Sequence, residues 1–128
     1  MKRSIVLAIC AFAFQSASAA PESGIRFDTV VVTSGKVTSH PSVWVSYGKP
    51  AVIEIPGAVR IVAEADPPHG DISHVTAKMY YFRNGAWVLD WSPGMDANIA
   101  ETPSFERDMG DGVHRVVLMP RRANNPTS

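Results

Sequence analysis

Residues 75–91, VTAKMYYFRNGAWVLDW, decide the fold of this chain, because they form two β-rich runs around Asn84-Gly85. Asn-Gly accepts the two positive φ angles of a type I′ turn, which joins antiparallel strands through a two-residue loop. We therefore predict a β-hairpin in which Arg83 and Ala86 flank the turn. Counting outward from the turn gives the cross-strand pairs Phe82–Trp87, Tyr81–Val88, Tyr80–Leu89, Met79–Asp90 and Lys78–Trp91.

The two faces of this hairpin differ in composition, since side chains alternate along a strand. The aromatic-rich face carries Tyr80, Phe82, Trp87, Leu89 and Trp91. We expect it to be buried, because a domain of this size needs its large side chains in the core. The opposite face is also fairly apolar, which indicates either the centre of a sandwich or a surface for a partner, and we predict a binding surface there. That predicted surface consists of Met79, Tyr81 and Val88.

Short β-type runs separated by Pro and Gly make up the rest of the chain, which favours an all-β fold. Outside the N-terminus, no helical periodicity extends beyond about two turns. We predict a small antiparallel β-sandwich, Ig-like or similar, that forms one domain over residues 20–120, with a flexible tail over residues 121–128. The further predicted strands are residues 25–33, 43–47, 51–55, 58–65, 97–101 and 113–119.

The N-terminus has the three parts of a secretory signal peptide. Lys2 and Arg3 precede a ten-residue apolar run, residues 5–14, which is too short to span a bilayer of about 30 Å. Ala17 and Ala19 supply an A-x-A cleavage site, so residues 1–19 are predicted to be removed. Such a chain is exported, to the periplasm or to the outside of the cell, and keeps no membrane span.

Cys10 is the sole cysteine, and it lies within this predicted signal. The apolar run continues past Cys10, which argues against lipidation there, so the mature chain would contain neither disulfides nor a thiol nucleophile. Without Lys2 and Arg3, 10 basic residues face 12 acidic ones, a net charge of −2. This charge argues against nucleic acid as a partner and provides no polybasic membrane anchor.

One loop has residues that suit a metal site. His69, Asp71 and His74 lie in and beside a segment rich in Pro and Gly, and two imidazoles with a carboxylate are reasonable ligands for zinc or another divalent ion. In an extended segment, however, His69 and His74 would point to opposite sides. No serine sits in a Gly-x-Ser-x-Gly elbow, and no recognisable pattern relates a serine, a histidine and an acid.

An internal echo suggests a duplicated β-hairpin element, although chance similarity is an open alternative. Residues 47–53 and 93–99 share Gly, Ala and Ile at equal offsets, and each is followed by a strand with the pattern Arg-Ile/Val-Val, at residues 60–62 and 115–117.

Three functions are consistent with these features. The leading interpretation is an exported, non-catalytic β-domain without a cofactor, which binds another periplasmic or envelope protein. A small metal-binding protein or hydrolase centred on His69, Asp71 and His74 is the second. A carbohydrate-binding module that uses strand aromatics is the third, because exposed aromatic rings serve both sugars and proteins.

Overall fold

The computed structural model describes residues 24–122, and every regular element in this range is a β-strand. The predicted signal peptide and most of the predicted tail lie outside the described residues. Within residues 24–122, no helix is long and apolar enough to cross a membrane. The strands are β1 (Gly24–Thr33), β2 (Lys36–Ser39), β3 (Ser42–Ser46), β4 (Ala51–Ile55), β5 (Val59–Ala65), β6 (Ile72–Arg83), β7 (Ala86–Trp91), β8 (Gly94–Asn98), β9 (Phe105–Asp108) and β10 (His114–Arg122).

The strands form two antiparallel sheets of five strands each, as the prediction of a β-sandwich requires. Sheet A has the order β2-β1-β10-β9, and β3 also pairs with β1. Sheet B has the order β4-β5-β6-β7, and β8 also pairs with β6. In each sheet two short strands pair with the same edge of one long strand. β2 and β3 pair with β1 in sheet A, and β7 and β8 pair with β6 in sheet B.

The pairing scheme of sheet B repeats in sheet A. Sheet B is the continuous run β4 to β8, and sheet A has the same connections in the order β9, β10, β1, β2, β3. The two ends of the described range, Gly24 in β1 and Arg122 in β10, occupy in sheet A the place that the loop over residues 66–71 occupies in sheet B. In this scheme β5 and β10 are equivalent, so residues 60–62 and 115–117 lie on equivalent strands. Residues 47–53 and 93–99 do not, because the first precede and enter β4 and the second form most of β8.

The predicted hairpin is present with the predicted turn. Asn84 and Gly85 have φ angles of 52° and 78°, and the pairs from Arg83–Ala86 to Tyr80–Leu89 are confirmed. The register then shifts, so that Met79 pairs with Trp91 and Asp90 becomes the extra residue of a β-bulge. The predicted pairs Met79–Asp90 and Lys78–Trp91 are therefore wrong, since uniform counting cannot foresee a bulge.

The predicted burial of the hairpin faces is inverted, except at Trp91, which packs against the core as predicted. Met79 is 0% exposed and Tyr81 9%, whereas Phe82 is 39% exposed and Leu89 52%. Neighbouring β5 explains the inversion, because its buried side chains Val59 and Ile61 lie opposite Tyr81 and Met79. The buried hydrophobic side chains are Ile25, Phe27, Val31, Ala51, Ile53, Val59, Ile61, Ala63, Ala65, Val75, Ala77, Met79, Tyr81, Ala97, Ile99, Phe105, Met109, Val116 and Leu118.

Several boundaries differ from the predicted ones. β2 and β9 were not predicted, and each is only four residues long. β8 covers Gly94–Asn98 rather than residues 97–101, which begin in that strand and end in a turn. β10 continues to Arg122, so Arg121 and Arg122 belong to a strand paired with β1 instead of a flexible tail.

Candidate functional site

The outer face of sheet B carries a cluster of aromatic and aliphatic side chains, which we call the aromatic face: Tyr80, Phe82, Trp87 and Leu89. Phe82 and Leu89 are exposed, and Tyr80 and Trp87 are partly buried. The register places Phe82 opposite Trp87 and Tyr80 opposite Leu89. The Phe82 and Trp87 rings make an edge-to-face contact, with centroids 5.1 Å apart and planes at 73°. Edge-to-face pairs of this kind are favourable for aromatic rings and hold them in place on a strand surface.

Aliphatic and charged side chains continue this surface across the sheet. Arg60 lies opposite Tyr80 and faces Glu54 across β4 and β5, with 3.8 Å between Arg60 Nε and Glu54 Oε1. Val52 on β4 is 49% exposed and lies opposite Val62. An apolar centre beside a mixed-charge rim is the usual anatomy of a protein–protein interface.

The side chains predicted to form a binding surface lie on the opposite, inner face. Met79 and Tyr81 belong to the core, and Val88 is partly buried against it, so this prediction is corrected. The alternation of apolar and charged side chains along β5 could have shown which face of the hairpin is buried. Arg60 is charged and lies opposite Tyr80, which marks the side of β6 that faces solvent.

The structure does not bring the predicted metal ligands together. His74 Nδ1 is 2.9 Å from Asp96 Oδ1, and Asp71 Oδ1 accepts a hydrogen bond of 2.7 Å from Arg122. The backbone of His69 instead forms a bridge with Ile72. Across residues 24–122, no group of three or more His, Cys, Asp or Glu side chains is arranged to hold a metal ion.

A second histidine–aspartate pair lies at the turn between β9 and β10. Asp111 Oδ2 is 2.5 Å from His114 Nδ1, while Asp111 Oδ1 accepts hydrogen bonds from the backbone N–H groups of Val113 and His114. Burial pushes the pKa of Asp111 upward, but these hydrogen bonds and the charge of His114 outweigh it, so that the pKa is lowered from 3.8. The pair thus closes a turn, which accounts for its geometry without catalysis.

No family model matches the chain, and neither does any curated protein or solved structure. Its function is therefore argued from its own residues.

Proposed function

We propose that this protein is an exported, non-catalytic β-domain that binds another protein of the periplasm or cell envelope through the aromatic face. The observation that carries the proposal is the exposure of large apolar side chains on the outer face of sheet B, next to charged neighbours. Phe82 and Leu89 are exposed on the same face of one hairpin, and large contiguous apolar patches mark interaction sites.

A protein partner fits this surface better than a glycan. Sugar recognition combines ring stacking with several converging polar groups, whereas the two exposed members of this face, Phe82 and Leu89, are apolar, and its polar atoms are the Tyr80 hydroxyl and the Trp87 indole N–H. Arg60 and Glu54 already face each other at the rim. The expected partner therefore presents apolar side chains at its centre, with charges of both signs around them.

Export rests on the N-terminal pattern of residues 1–19. Fractionation of cells that express the full chain with a C-terminal tag tests this part. The tagged protein should leave the cytoplasm, and its intact mass should correspond to a start at Ala20. A cytoplasmic protein of full-length mass would contradict export.

The docking proposal is tested with a matched pair of substitutions. Leu89→Asp places a charge on the aromatic face, and Val37→Asp places the same charge on β2 of sheet A. Both positions are exposed, Leu89 by 52% and Val37 by 60%, so neither change buries a charge. The mature protein serves as bait in periplasmic extract, and the protein that co-elutes is purified and titrated against all three baits.

We expect the wild type and Val37→Asp to bind this purified protein equally, and Leu89→Asp to bind it at least about tenfold more weakly, because a buried unpaired charge costs several kcal/mol at an interface. Equal binding by all three would show that the aromatic face is not the docking surface. A glycan array is the counter-test: saturable binding of an oligosaccharide that Trp87→Ala abolishes would replace the protein partner with a sugar.

A further inference from the structure

The outer face of sheet A contains a groove of about 470 Å³, away from the aromatic face. The segment between β2 and β3 borders it, and the backbone N–H of Thr29 donates a hydrogen bond of 2.9 Å to the carbonyl of Pro41. The volume lies within the range of small-molecule sites. The side chains and backbone that line it belong to Arg26, Asp28, Thr29, Val30, His40, Ser42 and Met119.

Two arginines contact Asp28, a carboxylate that lines this groove: Arg26 lines the groove itself, and Arg121 borders it through contacts with the lining residues Asp28 and Met119. Arg26 and Arg121 lie directly opposite each other on β1 and β10. Arg26 contacts both oxygens of Asp28, through Nε at 2.9 Å and Nη2 at 3.1 Å, and Arg121 Nε lies 2.7 Å from Asp28 Oδ2. Ser42 Oγ donates a further hydrogen bond of 2.7 Å to Asp28. Two guanidinium groups and one carboxylate leave a net charge of +1.

The carboxylate is held in its charged form. Burial acts to raise the pKa of Asp28, but the hydrogen bonds from Ser42 and Arg26 and the charges of Arg26 and Arg121 outweigh it and lower the pKa below 3.8. Asp28 therefore neutralises one arginine at neutral pH and cannot neutralise both.

Arg121 has donors beyond those used by Asp28. Its Nε faces Asp28, while its Nη2 lies 3.7 Å from the thioether sulfur of Met119, which is a weak acceptor. The terminal nitrogens of a guanidinium match the two oxygens of a carboxylate. Met119 lies opposite Asp28 in the register, and Val30 follows along β1, so apolar surface lies directly beside the cationic end of the groove.

We propose that this groove binds a small aliphatic carboxylate. The ligand's carboxylate takes the terminal nitrogens of Arg121, with Arg26 beside it, and its hydrocarbon chain lies along Met119 and Val30. Asp28 acts as an internal competitor that keeps the affinity moderate. The site is independent of the aromatic face, which lies on the other sheet.

The test is an NMR titration of the mature ¹⁵N-labelled protein with acetate, hexanoate and inorganic phosphate, at constant ionic strength. We expect saturable shifts confined to residues 26–30, 40–42 and 119–121, with hexanoate binding at least about tenfold more tightly than acetate because it buries additional methylene groups. Arg121→Gln should weaken hexanoate binding at least about tenfold. Arg115→Gln is the matched control, since Arg115 lies on the same strand and pairs with Glu106 and Asp108 at its other end.

A second substitution separates binding from folding. Asp28→Asn removes the internal competitor and should tighten hexanoate binding about threefold or more, which a merely structural role of Asp28 would not produce. Three outcomes would overturn the proposal: shifts that do not saturate, equal affinity in Arg121→Gln and Arg115→Gln, or tighter binding of phosphate than of hexanoate. The last would assign the groove to phosphate groups instead.

Discussion

The hairpins β1–β2 and β6–β7 have the same backbone design. The turn Ser34-Gly35 has φ angles of 50° and 83°, close to the 52° and 78° of Asn84-Gly85. In both hairpins the register shifts after the turn, leaving one extra residue in the second strand, Thr38 in β2 and Asp90 in β7. The two sheets therefore share a local geometry as well as an order of strands.

The side chains at these bulges differ in their reach. Thr38 stays within its own hairpin, where its hydroxyl lies 2.8 Å from that of Thr33. Asp90 reaches sheet A, accepting hydrogen bonds from Arg107 Nε at 3.0 Å and from the backbone of Gly110 at 3.1 Å. A bulge turns side chains to a new side, and the residue placed there decides whether the hairpin remains a sheet edge or links the two sheets.

The largest expected difference in stability is between the residues that follow the two bulges, Trp91 in β7 and Ser39 in β2. Trp91 packs on the core and makes an edge-to-face contact with Phe105 of sheet A, with centroids 6.3 Å apart. Trp91→Ala should lower the free energy of unfolding by about 2–4 kcal/mol, through lost burial and a residual cavity. The equivalent Ser39→Ala should change it by less than about 0.5 kcal/mol. Chemical denaturation measures both, and similar losses would show that the hairpins are equally important for stability.

The bulged residues themselves come next. Asp90→Ala should lower the free energy of unfolding by about 1–3 kcal/mol. The side chain of Asp90 is only 10% exposed, and its removal leaves Arg107 and the N–H of Gly110 without their acceptor. Thr38→Ala should cost less than about 1 kcal/mol, since its hydroxyl bonds are more exposed. A double-mutant cycle of Asp90 with Arg107 isolates their coupling. A coupling energy of zero would mean that this contact does not hold the sheets together.

Exchanging the turn residues tests whether the two turns differ only in side chain. Asn tolerates positive φ better than Ser, so Ser34→Asn should stabilise the protein by about 0.5 kcal/mol and Asn84→Ser should destabilise it by a similar amount. Thermal unfolding of both variants checks this prediction. A gain of stability in both would imply that Asn84 has a strained environment that its φ angle does not reveal.

The smallest expected effect concerns the turn between β9 and β10, in the hairpin equivalent to β4–β5. Asp111 closes this turn, and its pKa is lowered from 3.8. A lowered pKa means that the carboxylate stabilises the folded state above pH 3.8 and loses this contribution as pH falls through the lowered value. Asp111→Asn should therefore flatten the decline in stability as the pH falls below about 4. Urea titrations at several pH values measure the free energy of unfolding. An equally steep decline with falling pH in Asp111→Asn and in the wild type would contradict this prediction.

The regular parts of the fold could be predicted from sequence, because turn chemistry and β-branched runs are local signals. Asn84-Gly85 fixed the hairpin register as far as Leu89. The bulge at Asp90 could not be foreseen, since it depends on how β7 pairs with β6 beyond the turn, which the local sequence does not show. The four-residue strands β2 and β9 were missed for a similar reason, because their pairing with long neighbours defines them.

The predicted binding surface lies on the face of the hairpin that the structure buries. Both faces are apolar, and local composition alone favours burying the larger rings. The neighbouring strand β5 determines which face is buried, because its buried side chains Val59 and Ile61 lie opposite Tyr81 and Met79. The groove at Arg26 and Arg121 could not be predicted either, because β10 had been expected to end before Arg121.

The pairing of the first and last described strands, β1 and β10, has a consequence for the connectivity of the protein and for its folding. Ile25 and Arg122 are direct partners in the β1–β10 ladder, so a short linker could join these ends while a cut between residues 66 and 71 opened new ones. The rearranged chain would then build sheet A from a continuous segment and sheet B from two. In the natural order, sheet B closes through local contacts, but sheet A needs residues almost a full domain apart. Its closure therefore carries the larger loss of chain entropy and is expected to come last.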